Sequence, residues 1–98
     1  MRERDIEHHL VKRVKELGGE VRKVNWIGRR GAPDRIVMMP KDQQRFVDGQ
    51  WGTTLWVELK ASGKKAESHQ LREHERMQAM GQRVVVIDSI EAIEEILK

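Results

Sequence analysis

The chain has 98 residues, with 19 Lys and Arg against 16 Asp and Glu for a net charge of +3, which suits one small domain built on one core. It contains no cysteine, which excludes a disulfide scaffold, a thiolate zinc site and a cysteine nucleophile. No apolar run approaches the ~20 residues that a membrane span needs, and the charged start MRERDIEHH lacks the apolar stretch of a secretory signal, so residues 1–98 read as a single cytoplasmic domain with no membrane partner.

The charge is uneven. Residues 1–87 carry 18 basic and 12 acidic side chains, whereas 88–98 carry one and four. A basic body with an acidic tail favours a polyanionic partner.

In chain order, Ile6, Leu10, Val14 and Leu17 recur at helical spacing and predict a helix over 3–17, closed by Gly18-Gly19. VRKVNW at 21–26 predicts a first strand. IGRRGAPD is a loop, with two glycines and a proline breaking any regular element. DRIVMM at 34–39 predicts a second strand, stopped by Pro40. RFVD at 45–48 suggests a short strand and GQWG a turn, so that 45–60 forms a hairpin ending in the clearest strand, TLWVELK at 54–60. A second helix is predicted over 67–80, with Leu71, His74, Met77 and Gln78 on one face and Gly81 ending it. VVVI at 84–87 reads as a buried strand. Asp88 or Ser89 caps a final helix carrying Ile90, Ile93, Ile96 and Leu97. The order is α-β-β-β-α-β-α, an α/β fold. The β-α-β unit over 54–87 implies a parallel strand pair.

Glu58 and Lys60 are two apart on a strand and so share a face. Taken alone, they fit either an ordinary exposed ion pair or part of a site. Asp34, just after Pro33, opens the second strand. If strands 34–39 and 54–60 are neighbours, Asp34 and Glu58 converge on one cation. Two carboxylates, a backbone carbonyl and waters suit magnesium or manganese. Such a metal lowers the pKa of bound water and offsets charge on a phosphoryl oxygen, while Lys60 orients the water or the phosphate. There is no GxxxxGK[ST] loop to support nucleoside triphosphate chemistry.

Gly31-Ala32-Pro33-Asp34 followed by Glu58-Leu59-Lys60 resembles the PD-(D/E)xK nuclease signature, and the wider layout resembles the VRR-NUC branch in its stand-alone phage and bacterial form. The matching residues are Glu7, Gly18-Gly19, Gly31 to Arg35, Val57 to Lys60, Gln70, and Gly81 to Ser89, spread over nearly all of 3–98. The resemblance implies a restriction-endonuclease-like mixed sheet flanked by helices. It implies Asp34 and Glu58 as metal ligands, helped by the carbonyl of Leu59, Lys60 as the catalytic lysine, and Gln70 beside the site. Glu7 would be the acid of the first helix, at the spacing before the glycine turn seen in related archaeal junction resolvases. Glu3, one turn earlier, is the competing choice. The segment 40–54 is longer than the short glycine turn common in the family.

Arg29 and Arg30 lie in the loop before the site, and Lys64 and Lys65 in the loop after it. They form either a rim for DNA phosphates or ordinary soluble loops. Arg35 points away from Asp34, to pair structurally or serve an interface. Trp56 shares the Glu58 face and packs beneath it; Trp51 is the tryptophan expected to be exposed. His69 and His74, five apart, give no zinc-site spacing.

The resulting expectation is a magnesium- or manganese-dependent endonuclease for branched DNA, similar to homodimeric Holliday-junction resolvases and working in the cytoplasm, or the host cytoplasm if phage-encoded. The alternatives are a nickase or flap endonuclease, and an inert nucleic-acid-binding module of the same fold.

Overall fold

The computed structural model describes residues 1–43 and 52–98. The elements run α1 (Glu3–Glu16), β1 (Glu20–Lys23), β2 (Arg35–Met38), β3 (Thr54–Leu59), α2 (Ser68–Ala79), β4 (Val84–Ile87) and α3 (Ile90–Ile96). This is the expected mixed α/β order. The proposed strand at 45–48 and the first three residues of the GQWG turn, Trp51 among them, lie outside the described residues.

The strands form one sheet in the order β1-β2-β3-β4. The first two pairings are antiparallel and β3 with β4 is parallel, as a helical crossover through α2 requires. Side chains alternate between the two faces. Val37, Leu55, Val57, Leu59 and Ile87 meet Ile6, Leu10 and Val14 of α1 and Ile93 and Ile96 of α3 in one core. The i, i+4, i+8 spacing in α1 puts its three apolar side chains on one line, and all three are buried. An ion pair and a histidine contact tie α1 to α3: Glu94 Oε2 lies 2.9 Å from Arg13 Nε and 2.8 Å from His9 Nε2.

Trp56 and Glu58 take the opposite face, towards α2. That helix begins with a capping box: the Glu67 N–H donates to Gln70 Oε1 at 2.8 Å, and the Glu67 side chain accepts from the backbone at Gln70. Ser89 caps α3, its Oγ accepting from the Ala92 N–H at 3.0 Å.

Three expectations shift. The first strand starts one residue early and ends at Lys23, although the Val24 N–H still donates to the Asp34 carbonyl at 2.9 Å. The second begins at Arg35, leaving Asp34 on its threshold. In α2 His74 and Met77 are buried as expected, but Leu71 is exposed and Glu73 is buried in its place. No helix among the described residues is long and apolar enough to cross a membrane.

Candidate active site

The β2–β3 register pairs Arg35 with Val57 and Ile36 with Trp56. Asp34 and Glu58 are the next residues along these two chains at the same end of the ladder, near enough for the charge of Asp34 to act on Glu58. Lys60 follows two residues after Glu58, and its N–H donates to the Ile87 carbonyl at 2.9 Å, carrying the ladder past the end of β3. The N-terminus of α1 is drawn to the same end of the sheet, where the Ser62 N–H donates to the Met1 carbonyl at 3.0 Å.

Glu58 is 8% exposed. Burial raises its pKa to about 7; the positive charge of Lys60 opposes that rise, the negative charges of Asp34 and Glu3 add to it, and Arg35 opposes it. Its Oε1 is buried without a hydrogen-bond partner, as is Nε2 of His74, which lies 3.5 Å away. Burial also lowers the pKa of His74, with Glu73 opposing and Lys60 reinforcing the shift. Glu58 is therefore a desolvated carboxyl facing a desolvated imidazole, with two other carboxylates acting on it.

Asp34 is more open, its side chain 49% exposed. Its Oδ1 lies 2.9 Å from Nη1 of Arg35, and the Nε of Arg35 donates to Glu7 of α1. Arg35 is buried, and these carboxylate partners outweigh the effect of burial and raise its pKa further. A Glu7–Arg35–Asp34 chain thus runs from the first helix to the edge of the site. Of the two candidate acids on α1, Glu7 is engaged by Arg35, and Glu3 is the one whose charge acts on Glu58. The bridging role of Arg35 was missed by strand parity, because parity places a Cβ and not the end of a long side chain. The available signal was an arginine on an otherwise apolar face, next to Asp34.

Gln70 spends its Oε1 on the α2 capping box. Arg29 lies 3.5 Å from the buried Glu73, whose Oε1 is also 2.8 Å from Arg76. Arg30, Lys64 and Lys65 are exposed. Leu59 turns its side chain into the core. Trp26 and Trp56 pack with ring centroids 5.2 Å apart at 48°. The Trp26 indole donates to the Pro33 carbonyl at 2.8 Å, and that of Trp56 to Gln82 Oε1 at 3.1 Å.

Among the described residues, no three His, Asp or Glu side chains are grouped as a ready-made metal cage. Asp34 and Glu58 instead form an oxygen pair of the kind that suits a hard cation keeping several waters, as magnesium does. The unpartnered Oε1 and the negative charges of Asp34 and Glu3 acting on Glu58 fit such an ion.

No family model matches the chain. A solved structure described as "VRR_NUC domain" superposes with a TM-score of 0.76 at 34% identity, covering 95% of this chain and 90% of that one. The chain belongs to the VRR-NUC family. It has the family's nuclease fold, and it is 44% identical over 89 residues to "Putative nuclease p44" of Acyrthosiphon pisum secondary endosymbiont phage 1, a match that covers 91% of this chain and 85% of the relative.

Proposed function

We propose that this VRR-NUC protein is a magnesium- or manganese-dependent DNA endonuclease that hydrolyses phosphodiester bonds in branched DNA, working as a homodimer. The observation that carries this reading is the meeting of Asp34, Glu58 and Lys60 at one end of the sheet, with Glu58 buried and its Oε1 without a hydrogen-bond partner. Clustered negative charge gains nothing for a module that only binds phosphates, which speaks against an inert role.

Asp34, Glu58 and the Leu59 carbonyl are the groups that would hold the ion. When bound, it supplies an activated water and stabilises charge on the phosphoryl oxygen. The protein's own residues do the rest. Arg35 fixes the Asp34 carboxylate and is itself held by Glu7. Lys60 presents an ammonium beside Glu58, where it orients the attacking water and offsets charge on the phosphate. Gln70, which caps the start of α2, helps to position phosphate or water beside the site, and Arg29, Arg30, Lys64 and Lys65 contact phosphates on either side. Dimerisation suits a small chain, because two sites related by a twofold axis address two strands of a symmetric junction.

The test is cleavage of junction, flap, nicked and linear duplex DNA with magnesium, manganese, calcium or EDTA, together with sedimentation at micromolar protein. Metal-dependent cutting of branched DNA by a dimer supports the proposal. Cutting confined to nicked or linear duplex points to a nickase, and binding with no cutting in any metal points to the inert module.

A further inference from the structure

We propose that the cleft beside Asp34 is a subsite for one unpaired nucleotide, and that Ile27 is the wedge that keeps it out of the base stack. The DNA feature recognised is then an unpaired base next to the cut. This rests on Asp34 belonging to the catalytic pair.

The cleft is open and encloses about 470 Å³, with Lys23, Asn25, Trp26, Arg29 and Asp34 in its lining. This size falls in the range of small-ligand sites. The lining combines what a nucleotide requires: an aromatic ring for stacking, a carboxamide able to donate and accept at a base edge, and two cations for phosphate. The ring is fixed relative to the cutting site. Its indole N–H donates to the carbonyl of Pro33, the residue before Asp34, and its ring is braced by Trp56. Arg29 is tethered by Glu73 yet keeps its side chain 54% exposed.

The next residue supplies an independent observation. Ile27 is 94% exposed, an apolar side chain left in water in the loop between β1 and β2. It is followed by Gly28 at φ +74° and then by Arg29 and Arg30. A lone apolar side chain on a cationic loop matches how DNA-distorting proteins insert aliphatic side chains between base steps. Phosphates would meet the arginines while Ile27 enters the stack. A base inside a duplex offers no face to Trp26, so the subsite fills only when the nucleotide is extruded or already unpaired. Extrusion is least costly at branch points, flaps and mismatches. Ile27 and Trp26 are adjacent in sequence, so one loop both opens the stack and receives the displaced base.

The experiment uses the full chain in EDTA with two DNAs of matched sequence, one branched and one fully paired, each carrying 2-aminopurine at the nucleotide next to the branch position. Wild-type protein is expected to bind the branched DNA about tenfold more tightly and to quench its 2-aminopurine. Trp26→Ala should lose both effects. Trp26→Ala also removes a brace from Trp56, so the deciding variant is Ile27→Ser, whose side chain has no packing to lose. It should reduce the preference for branched DNA about fivefold, with melting temperature and paired-duplex affinity unchanged. The proposal is overturned if Ile27→Ser leaves the preference intact, weakens both DNAs equally, or alters sedimentation while sparing DNA affinity; the last result would make Ile27 a protein contact. Magnesium-dependent cutting of the same branched DNA is scored separately. Cutting without quenching or preference sinks the subsite and leaves the nuclease standing; quenching and preference without cutting supports the subsite and sinks the nuclease.

Discussion

Arg35 couples two parts of the molecule that the sequence keeps apart. It is buried between Glu7 of the first helix and Asp34 at the edge of the site. Replacing it by Met leaves two carboxylates without their cation. Because both partners remain partly open to water, the cost should fall below the full penalty for breaking a buried pair, at about 1–3 kcal/mol by urea unfolding. Glu7→Gln should cost less, since Arg35 keeps Asp34. The catalytic assignments predict a different pattern. Asp34→Ala, Glu58→Ala and Lys60→Ala should each abolish metal-dependent cleavage in folded protein, checked by circular dichroism. Either carboxylate change disables one shared centre, so the double variant should be no worse than the singles. Lys60→Ala should spare manganese binding by calorimetry, because an ammonium is not a ligand. Near wild-type cutting by folded Asp34→Ala or Lys60→Ala would place the chemistry elsewhere.

At the scale of elements, the loop between β1 and β2 is held by contact as well as by conformation. Gly31 has φ +87°, and a Cβ there would lie 2.8 Å from the His69 carbonyl at the start of α2. Gly28 has φ +74° with open space around it. Gly28→Ala should therefore cost about 1–2 kcal/mol, the left-handed backbone penalty alone. Gly31→Ala should cost more and also separate the loop from α2. Melting temperatures of the two variants give the comparison; equal losses would mean that the His69 contact is unimportant. The same elements show why the sequence was partly legible. Strand parity in TLWVEL put Glu58 on one face and Val57 and Leu59 on the other, and Pro33 and Pro40 bracketed β2; that Asp34 comes near Glu58 depended on the antiparallel pairing of β2 with β3, which the fold supplies. The buried side of α2 followed in part: His74 and Met77 lie on it as the spacing placed them, whereas Leu71 is exposed and Glu73 is buried. Glu73 meets Arg29 from the loop between β1 and β2 as well as Arg76 on its own helix, and His74 faces Glu58 of β3. Polar burial is decided by tertiary partners, and hydrophobic spacing carries no record of them.

At the scale of the whole molecule, the buried Glu58 makes stability depend on pH in an unusual direction. Its carboxyl moves from an ordinary value of 4.5 to about 7 on folding, chiefly through burial. Between those values the folded state binds more protons than the unfolded chain, so metal-free stability falls as pH rises through that window. The full shift corresponds to about 3 kcal/mol. His74 acts in the opposite sense: its lowered pKa means that stability rises with pH as the unfolded imidazole loses its proton near 6.5. The wild-type curve blends the two, so the informative quantity is the difference from Glu58→Gln, which has no carboxyl to ionise. Measured by urea unfolding in EDTA from pH 4 to 8.5, that difference should be flat below about 4.5. It should then move steadily in favour of the variant, and level off above about 7. Adding manganese at pH 8 should restore wild-type stability relative to Glu58→Gln, because an ion bound only by the folded, ionised site stabilises by mass action. Parallel curves across the whole range would mean that Glu58 is not desolvated in solution, and the buried carboxylate would lose its claim to a counter-ion.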